Sequence, residues 1–175
     1  MKKFILVGGV VSTLFVAGCA AGLVSSGAGS AETMLSPTKG NTVSGKVVFS
    51  ESGNKLRVVA EITGLSPGPH GFHIHEKGDC SAPDGTSAGG HYNPTGKPHG
   101  NPEHAEHHAG DMPQLVADAK GVAKLVGYID EVNLGTGEGG IVGRSVIVHA
   151  TADDFKTQPT GNSGARVACG VIVKK

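Results

Sequence analysis

Eight of the nine histidines fall between His70 and His108, in a chain of 175 residues. Imidazole is the commonest protein ligand for metal ions, so their spacing is the first thing to read. In Phe72-His73-Ile74-His75 the side chains alternate between the two faces of an extended strand. With Phe72 and Ile74 turned to a core, His73 and His75 point outward together as a pair of ligands. A lone His-x-His is a weak signal, because two surface histidines give the same pattern. Here more follows. His91 lies in Gly90-His91-Tyr92-Asn93-Pro94, His99 in Lys97-Pro98-His99-Gly100, and His108 with Asp111 in His108-Ala109-Gly110-Asp111. Three imidazoles and one carboxylate form an acceptable tetrahedral set for zinc. His149 ends the run Ser145-Val146-Ile147-Val148-His149, where Ser145, Ile147 and His149 share a face. It can lie on the same outer wall as His73 and His75. The choice of His108 over the adjacent His107 rests on the spacing to Asp111 alone. His70 reads as a structural hydrogen-bonding residue. His104 and His107 read as a solvated loop, with weak metal capture as the alternative.

The elements that must position these residues are strands. Val43–Ser50 and Lys55–Ile62 read as a hairpin through Ser52-Gly53-Asn54. Gly71–Glu76 is a third strand, Gln114–Ala119 and Val122–Ile129 pair across Lys120-Gly121, and Arg144–His149 and Arg166–Val173 complete the set. A short strand is expected near Thr33–Leu35. This pattern predicts an all-β fold, an eight-stranded Greek-key flattened barrel or sandwich of the immunoglobulin-like kind. The 29 Gly, the 9 Pro and the absence of Trp suit short strands, many turns and a core of small branched side chains. Lys77–Met112 and Thr151–Ala165 show no strand pattern. Long irregular segments in a compact domain usually carry function, and histidines flank both.

The N-terminus reads as a targeting segment. Lys2 and Lys3 precede the apolar stretch Phe4–Ala17, and Val16-Ala17-Gly18-Cys19 resembles a bacterial lipobox. Residues 1–18 would then be a signal peptide, Cys19 the lipidated first residue, 19–31 a flexible tether and 32–175 the folded domain. The alternative is an ordinary secretory peptide cut later, for instance after Ala31. Export makes a disulfide between Cys80 and Cys169 an expectation, with two separate buried thiols as the alternative. Fifteen basic and fifteen acidic residues balance, which argues against a nucleic-acid partner.

The stretches from Gly71 to Glu76, Ser87 to Pro94, His108 to Asp111, Gly143 to His149 and Gly161 to Gly170 resemble the copper/zinc superoxide dismutases in order and context. The resemblance is weakest before Gly64, and it points to an exported bacterial type. It implies one copper and one zinc ion per subunit. Copper would be held by His73, His75, His91 and His149. Zinc would be held by His91, His99, His108 and Asp111, with His91 bridging. It implies that Cys80 and Cys169 form a disulfide and that Arg166 captures superoxide beside the copper. Asp153 would link a copper ligand to a zinc ligand through their outer nitrogens. The expected activity is dismutation of superoxide to dioxygen and hydrogen peroxide in the periplasm, at a membrane to which Cys19 anchors the chain. The alternative on the same fold is a non-catalytic copper/zinc-binding or delivery protein. Family members of this kind occur as monomers and as dimers, which leaves a homodimer open. The segment Thr151–Ala165 holds only Lys156 as a cation, so Lys77 and Lys97 are the expected further sources of positive potential.

Overall fold

The computed structural model describes Met1 and residues 29–175. The apolar N-terminal segment read as an export signal, the motif that resembles a lipobox and Cys19 lie outside the described residues. Among the described residues, no helix is long and apolar enough to cross a membrane.

Among the described residues, ten strands form the antiparallel sheet, nine along one path with β10 beside β1: β1 (Ser30–Pro37), β2 (Ser44–Ser52), β3 (Lys55–Thr63), β4 (Gly68–His70), β5 (Phe72–His75), β6 (Leu115–Ala117), β7 (Ala123–Ile129), β8 (Ser145–His149), β9 (Arg166–Val171) and β10 (Val173–Lys174). The eight expected strands are present, one of them interrupted, because Ile172 separates β9 from β10, and β4 is a further short strand that precedes Gly71 and was not expected. The first strand is longer than its sequence pattern suggests. It begins at Ser30, two residues inside the segment read as a tether, because Ala31 is fully buried and pairs with both Phe49 and Lys174.

Alternation explains the inner surface. Ala31, Thr33 and Leu35 of β1, Val47 and Phe49 of β2, and Leu56, Val58, Ala60 and Ile62 of β3 are all buried. Their neighbours in sequence face away, as period-2 strands require. The β2–β3 turn is two residues long, since Ser52 pairs with Lys55, and Gly53 supplies the positive φ of 63° that such a turn needs.

The sheet runs β4-β6-β7-β3-β2-β1-β9-β8-β5. Its two ends, β4 and β5, are neighbours in the chain, so the single segment Gly68–His75 closes the barrel. The outer edge of β5 is covered by loop backbone: Ile74 N donates to Gly110 O at 2.8 Å, Tyr92 N to Ile74 O at 2.8 Å, and Glu76 N to Gly90 O at 3.0 Å. Gly110 must be glycine for this approach, because a Cβ there would stand 2.3 Å from the Ile74 carbonyl oxygen.

Candidate metal centre

The four residues of β5 divide between two environments. Phe72 and Ile74 join the main core, while His73 and His75 lie on the opposite wall. That wall is not open to water as the strand pattern alone suggests. His73 and His75 are 0% exposed, because the loops 76–114 and 150–165 fold over them. Beside β5, β8 repeats the division. Val146 and Val148 enter the main core, whereas Ile147 packs with Ala88 and Cys169 in a second cluster beneath the loop. A register shift between Val148 and His149 precedes the end of β8, where His149 N donates to Gly71 O at 2.9 Å.

Two groups of four ligand atoms result, each group within 4.8 Å: His73, His75, His91 and His149, and His91, His99, His108 and Asp111. All seven residues are buried. His108, not His107, joins the second group. His107 is buried too and does not sit in a solvated loop. Its Nδ1 donates to His108 O at 2.7 Å and its Nε2 lies 3.4 Å from Asp130, so it fastens the ligand loop to the end of β7. Asp130 is an anchor that sequence reasoning missed, since no local pattern links it to a histidine 23 positions earlier (130 − 107). His104 is exposed. His70 donates from Nδ1 to His149 O at 2.8 Å, while its Nε2 lies 2.8 Å from Ser66 O, a structural bond onto the chain at His149.

The nitrogen atoms of the first group sort by partner. His73 Nε2 donates to Asp153 at 2.6 Å, His75 Nδ1 to Gly89 O at 2.9 Å and His149 Nδ1 to Gly164 O at 3.2 Å. Each ring is thereby fixed in orientation and tautomer. The remaining nitrogens, Nδ1 of His73 and Nε2 of His75 and His149, are buried without a hydrogen-bond partner, as is Nε2 of His91. Orphaned buried acceptors cost free energy on the order of 1–3 kcal/mol each. Four of them in one cluster form a donor set that a cation would satisfy, and imidazole nitrogen suits copper and zinc alike.

His91 differs from the others. Its Nδ1 lies 3.0 Å from Asp111, while its Nε2 is one of the four orphaned nitrogens. Neither nitrogen is tied back to structural backbone. In the second group, His99 Nδ1 also lies 3.0 Å from Asp111, and His108 Nδ1 is 3.6 Å from it. Asp111 is itself held by amide donors, Gly100 N at 3.1 Å and His108 N at 2.9 Å. Asp153 joins the two groups, accepting from His73 Nε2 at 2.6 Å and His99 Nε2 at 2.9 Å. Gly161 makes room for that link, because a Cβ there would lie 1.9 Å from Asp153 Oδ1 and 2.5 Å from His99 Nε2.

Charge divides the centre in the same way. Burial holds His75 and His149 well below the usual imidazole range, and burial followed by the neighbouring His73 brings His91 to about 4. These rings are neutral and free to ligate. Burial opposes charge on His99 too, but its hydrogen bonds to the Asp111 and Asp153 carboxylates outweigh it and raise His99 to about 9. Burial likewise opposes the charge on Asp111, yet bonds with His108, His91 and His99 keep its carboxyl far below the ordinary range. The second group thus attracts positive charge, while the first offers neutral donors.

Arg166 stands at the edge of the first group, half-buried, its guanidinium donating to Gly85 O at 2.7 Å and Gly89 O at 2.6 Å. The Gly89 carbonyl therefore holds both Arg166 and the ring of His75. Gly85 and Gly89 lie on the loop that the Cys80–Cys169 disulfide fastens to β9, with a Cα–Cα distance of 5.8 Å. Of the lysines named as sources of positive potential, Lys97 is bound to Glu131 and to Ala105 O. Its charge is answered there. Lys156 lines a different cleft, beside His99 and His104.

The family model for copper/zinc superoxide dismutase matches residues 43–172. An extracellular copper-zinc superoxide dismutase of Drosophila melanogaster is 44% identical over 139 residues, spanning 74% of this chain and 75% of the relative. One of Caenorhabditis elegans is 41% identical, spanning 73% of this chain and 60% of the relative. A crystal structure of the clock protein EA4 superposes with a TM-score of 0.75 at 40% identity, covering 83% of this chain and 94% of that one. The all-β barrel, the two histidine groups and these likenesses agree, and the chain belongs to the copper/zinc superoxide dismutase family.

Proposed function

We propose that this protein is an exported bacterial enzyme that converts two superoxide ions and two protons to dioxygen and hydrogen peroxide. One copper ion would be held by His73, His75, His91 and His149, and one zinc ion by His91, His99, His108 and Asp111, with His91 as the shared imidazolate. The cluster of orphaned nitrogens carries this reading. Copper supplies the one-electron chemistry that zinc lacks. The chain supplies the rest. Arg166 offers its remaining N–H groups to the incoming anion, an interaction strengthened by partial desolvation. His91 Nε2, the nitrogen turned to the first group, would carry a proton to the reduced product when copper does not hold it. Asp153 keeps His73 and His99 in the tautomers that leave their Nδ1 atoms inward. The deciding experiment is metal content with superoxide consumption on the purified protein. Full copper and zinc without activity would favour the non-catalytic binding or delivery role.

The charge on Arg166 gives a specific expectation. Arg166→Ala should keep both metals but slow the reaction on the order of tenfold, as for loss of one charged hydrogen bond. The salt dependence of the rate should weaken as well. A rate equal to that of the unaltered enzyme would remove Arg166 from the capture step.

The lipobox ending in Cys19 supports attachment to the periplasmic side of a bacterial membrane. Radiolabelled palmitate should enter the full-length protein expressed in a bacterium and should fail to enter Cys19→Ser. Equal labelling of the two would sink the anchor and leave a secretory peptide cut elsewhere.

A further inference from the structure

His99 is buried in the long segment between β5 and β6, outside every strand. Its backbone N–H and C=O therefore need partners that no sheet supplies. One side chain supplies both. His99 N donates to Gln158 Oε1 at 2.8 Å, and Gln158 Nε2 donates to His99 O at 2.8 Å. A primary amide carries donor and acceptor in one plane, so it pairs with a residue's backbone as a neighbouring strand would. Asn93 does the same for Lys97, with bonds of 2.8 and 3.1 Å, but from four positions away. Gln158 reaches His99 from the other loop, 59 positions on. The turn that presents it is built locally. The Asp154 carboxylate accepts from Lys156 N at 2.9 Å, Thr157 N at 2.8 Å and Thr157 Oγ1 at 2.6 Å, and Gly161 N donates to Thr157 O at 2.7 Å. Gln158 itself is exposed. No core packing calls for an amide there, and the paired bonds to His99 are what sets this side chain apart.

We propose that Gln158 is a positioning residue for His99, and that it couples closure of the 150–165 loop to metal binding in the second group. This deepens the two-metal reading and rests on its zinc set. His99 is held at three points. Its Nδ1 lies 3.0 Å from Asp111, its Nε2 donates to Asp153 at 2.9 Å, and Gln158 holds its backbone. Two of the three holds, Asp153 and Gln158, come from the same loop. That loop also offers Gly164 O to His149. With the loop closed, His99 has less freedom to lose when an ion binds, so the ion binds more tightly. By reciprocity, an ion that fixes His99 favours the closed loop by the same free energy. The sequence hides this role, because Gln158 stands in a polar stretch with no periodicity and far from every histidine motif.

The test compares the full chain with two variants of similar length and volume. Gln158→Met removes both polar atoms, and Gln158→Glu keeps the acceptor but loses the donor. Cobalt(II) is the probe for the zinc set, because its visible bands report the arrangement of the ligands. Both variants should bind cobalt about tenfold more weakly, the usual scale for losing a partner that orients a ligand. Their cobalt bands should shift as well. In the metal-free chain, amide hydrogen exchange should quicken in Gln158→Met at 99–101 as well as at 150–165, although only the second segment is altered. A local structural role would quicken exchange at 150–165 alone and leave the cobalt bands in place, and that result would overturn the proposal. Equal cobalt affinity in all three proteins would overturn it too. An unaltered chain that takes up no cobalt would remove the zinc reading and the coupling with it, while the paired exchange response would still decide whether Gln158 holds His99.

Discussion

His149→Ala should reduce superoxide consumption to background while the protein still retains zinc. His149 contributes to the first group alone. Its Nε2 is one of the four orphaned nitrogens, its Nδ1 is spent on Gly164 O, and it makes no bond to Asp111 or Asp153. Removing its ring takes away one of four donors and leaves His91, His99, His108 and Asp111 in place. Asp153 still holds His99. The expected profile is one zinc, depleted or weakly held copper and no catalysis, read from metal analysis beside a superoxide assay. Retained activity would exclude His149 from the copper set. Joint loss of both metals would show that the two groups do not bind independently.

Reduction of the Cys80–Cys169 bridge should have the largest effect on stability. The two cysteines are 89 positions apart. In the chain-entropy description, opening a loop of that length costs about 4–5 kcal/mol, a large share of what a domain of this size has. Denaturant unfolding of Cys80→Ser with Cys169→Ser against the oxidised protein should show a midpoint shifted down and a steeper slope, because the unlinked unfolded chain expands and exposes more surface. Activity should fall too, even where the variant is folded and loaded. The bridge fastens the loop whose Gly85 and Gly89 carbonyls hold Arg166 and His75. An unchanged midpoint would mean that packing of Ala88 against Ile147 already fixes this loop without the bond.

The strands were legible in the sequence because their chemistry is periodic. The alternation in Lys55–Thr63 and in Phe72–His75 names the buried face directly. Strand β4 and the interruption at Ile172 were not legible, since each arises where the chain leaves one sheet partner for another. The start of β1 was missed for a related reason. Ser30 and Ala31 are small residues in a Gly/Ser-rich stretch, and only pairing with β2 and β10 gives them order. At the site, residue type and spacing identified seven residues that the fold brings together. The sequence could not show their cover, because burial of His73 and His75 comes from loops distant in the chain. It also misjudged the charges. Lys97 reads as available in the sequence, but Glu131, 34 positions on, lies beside it and pairs with its ammonium.

The seam of the barrel has a consequence for how this protein behaves among its own copies. A strand at the end of a sheet offers unpaired amides and carbonyls to any neighbouring chain, a standing invitation to aggregate. Here β5 would be such a strand, and what occupies its edge is backbone at Gly90, Tyr92 and Gly110. Those residues belong to the loop that also carries His91, His108 and Asp111. Whatever tethers those three side chains also keeps the edge shut, so the shield against edge-to-edge association and the metal-binding loop are one piece of chain.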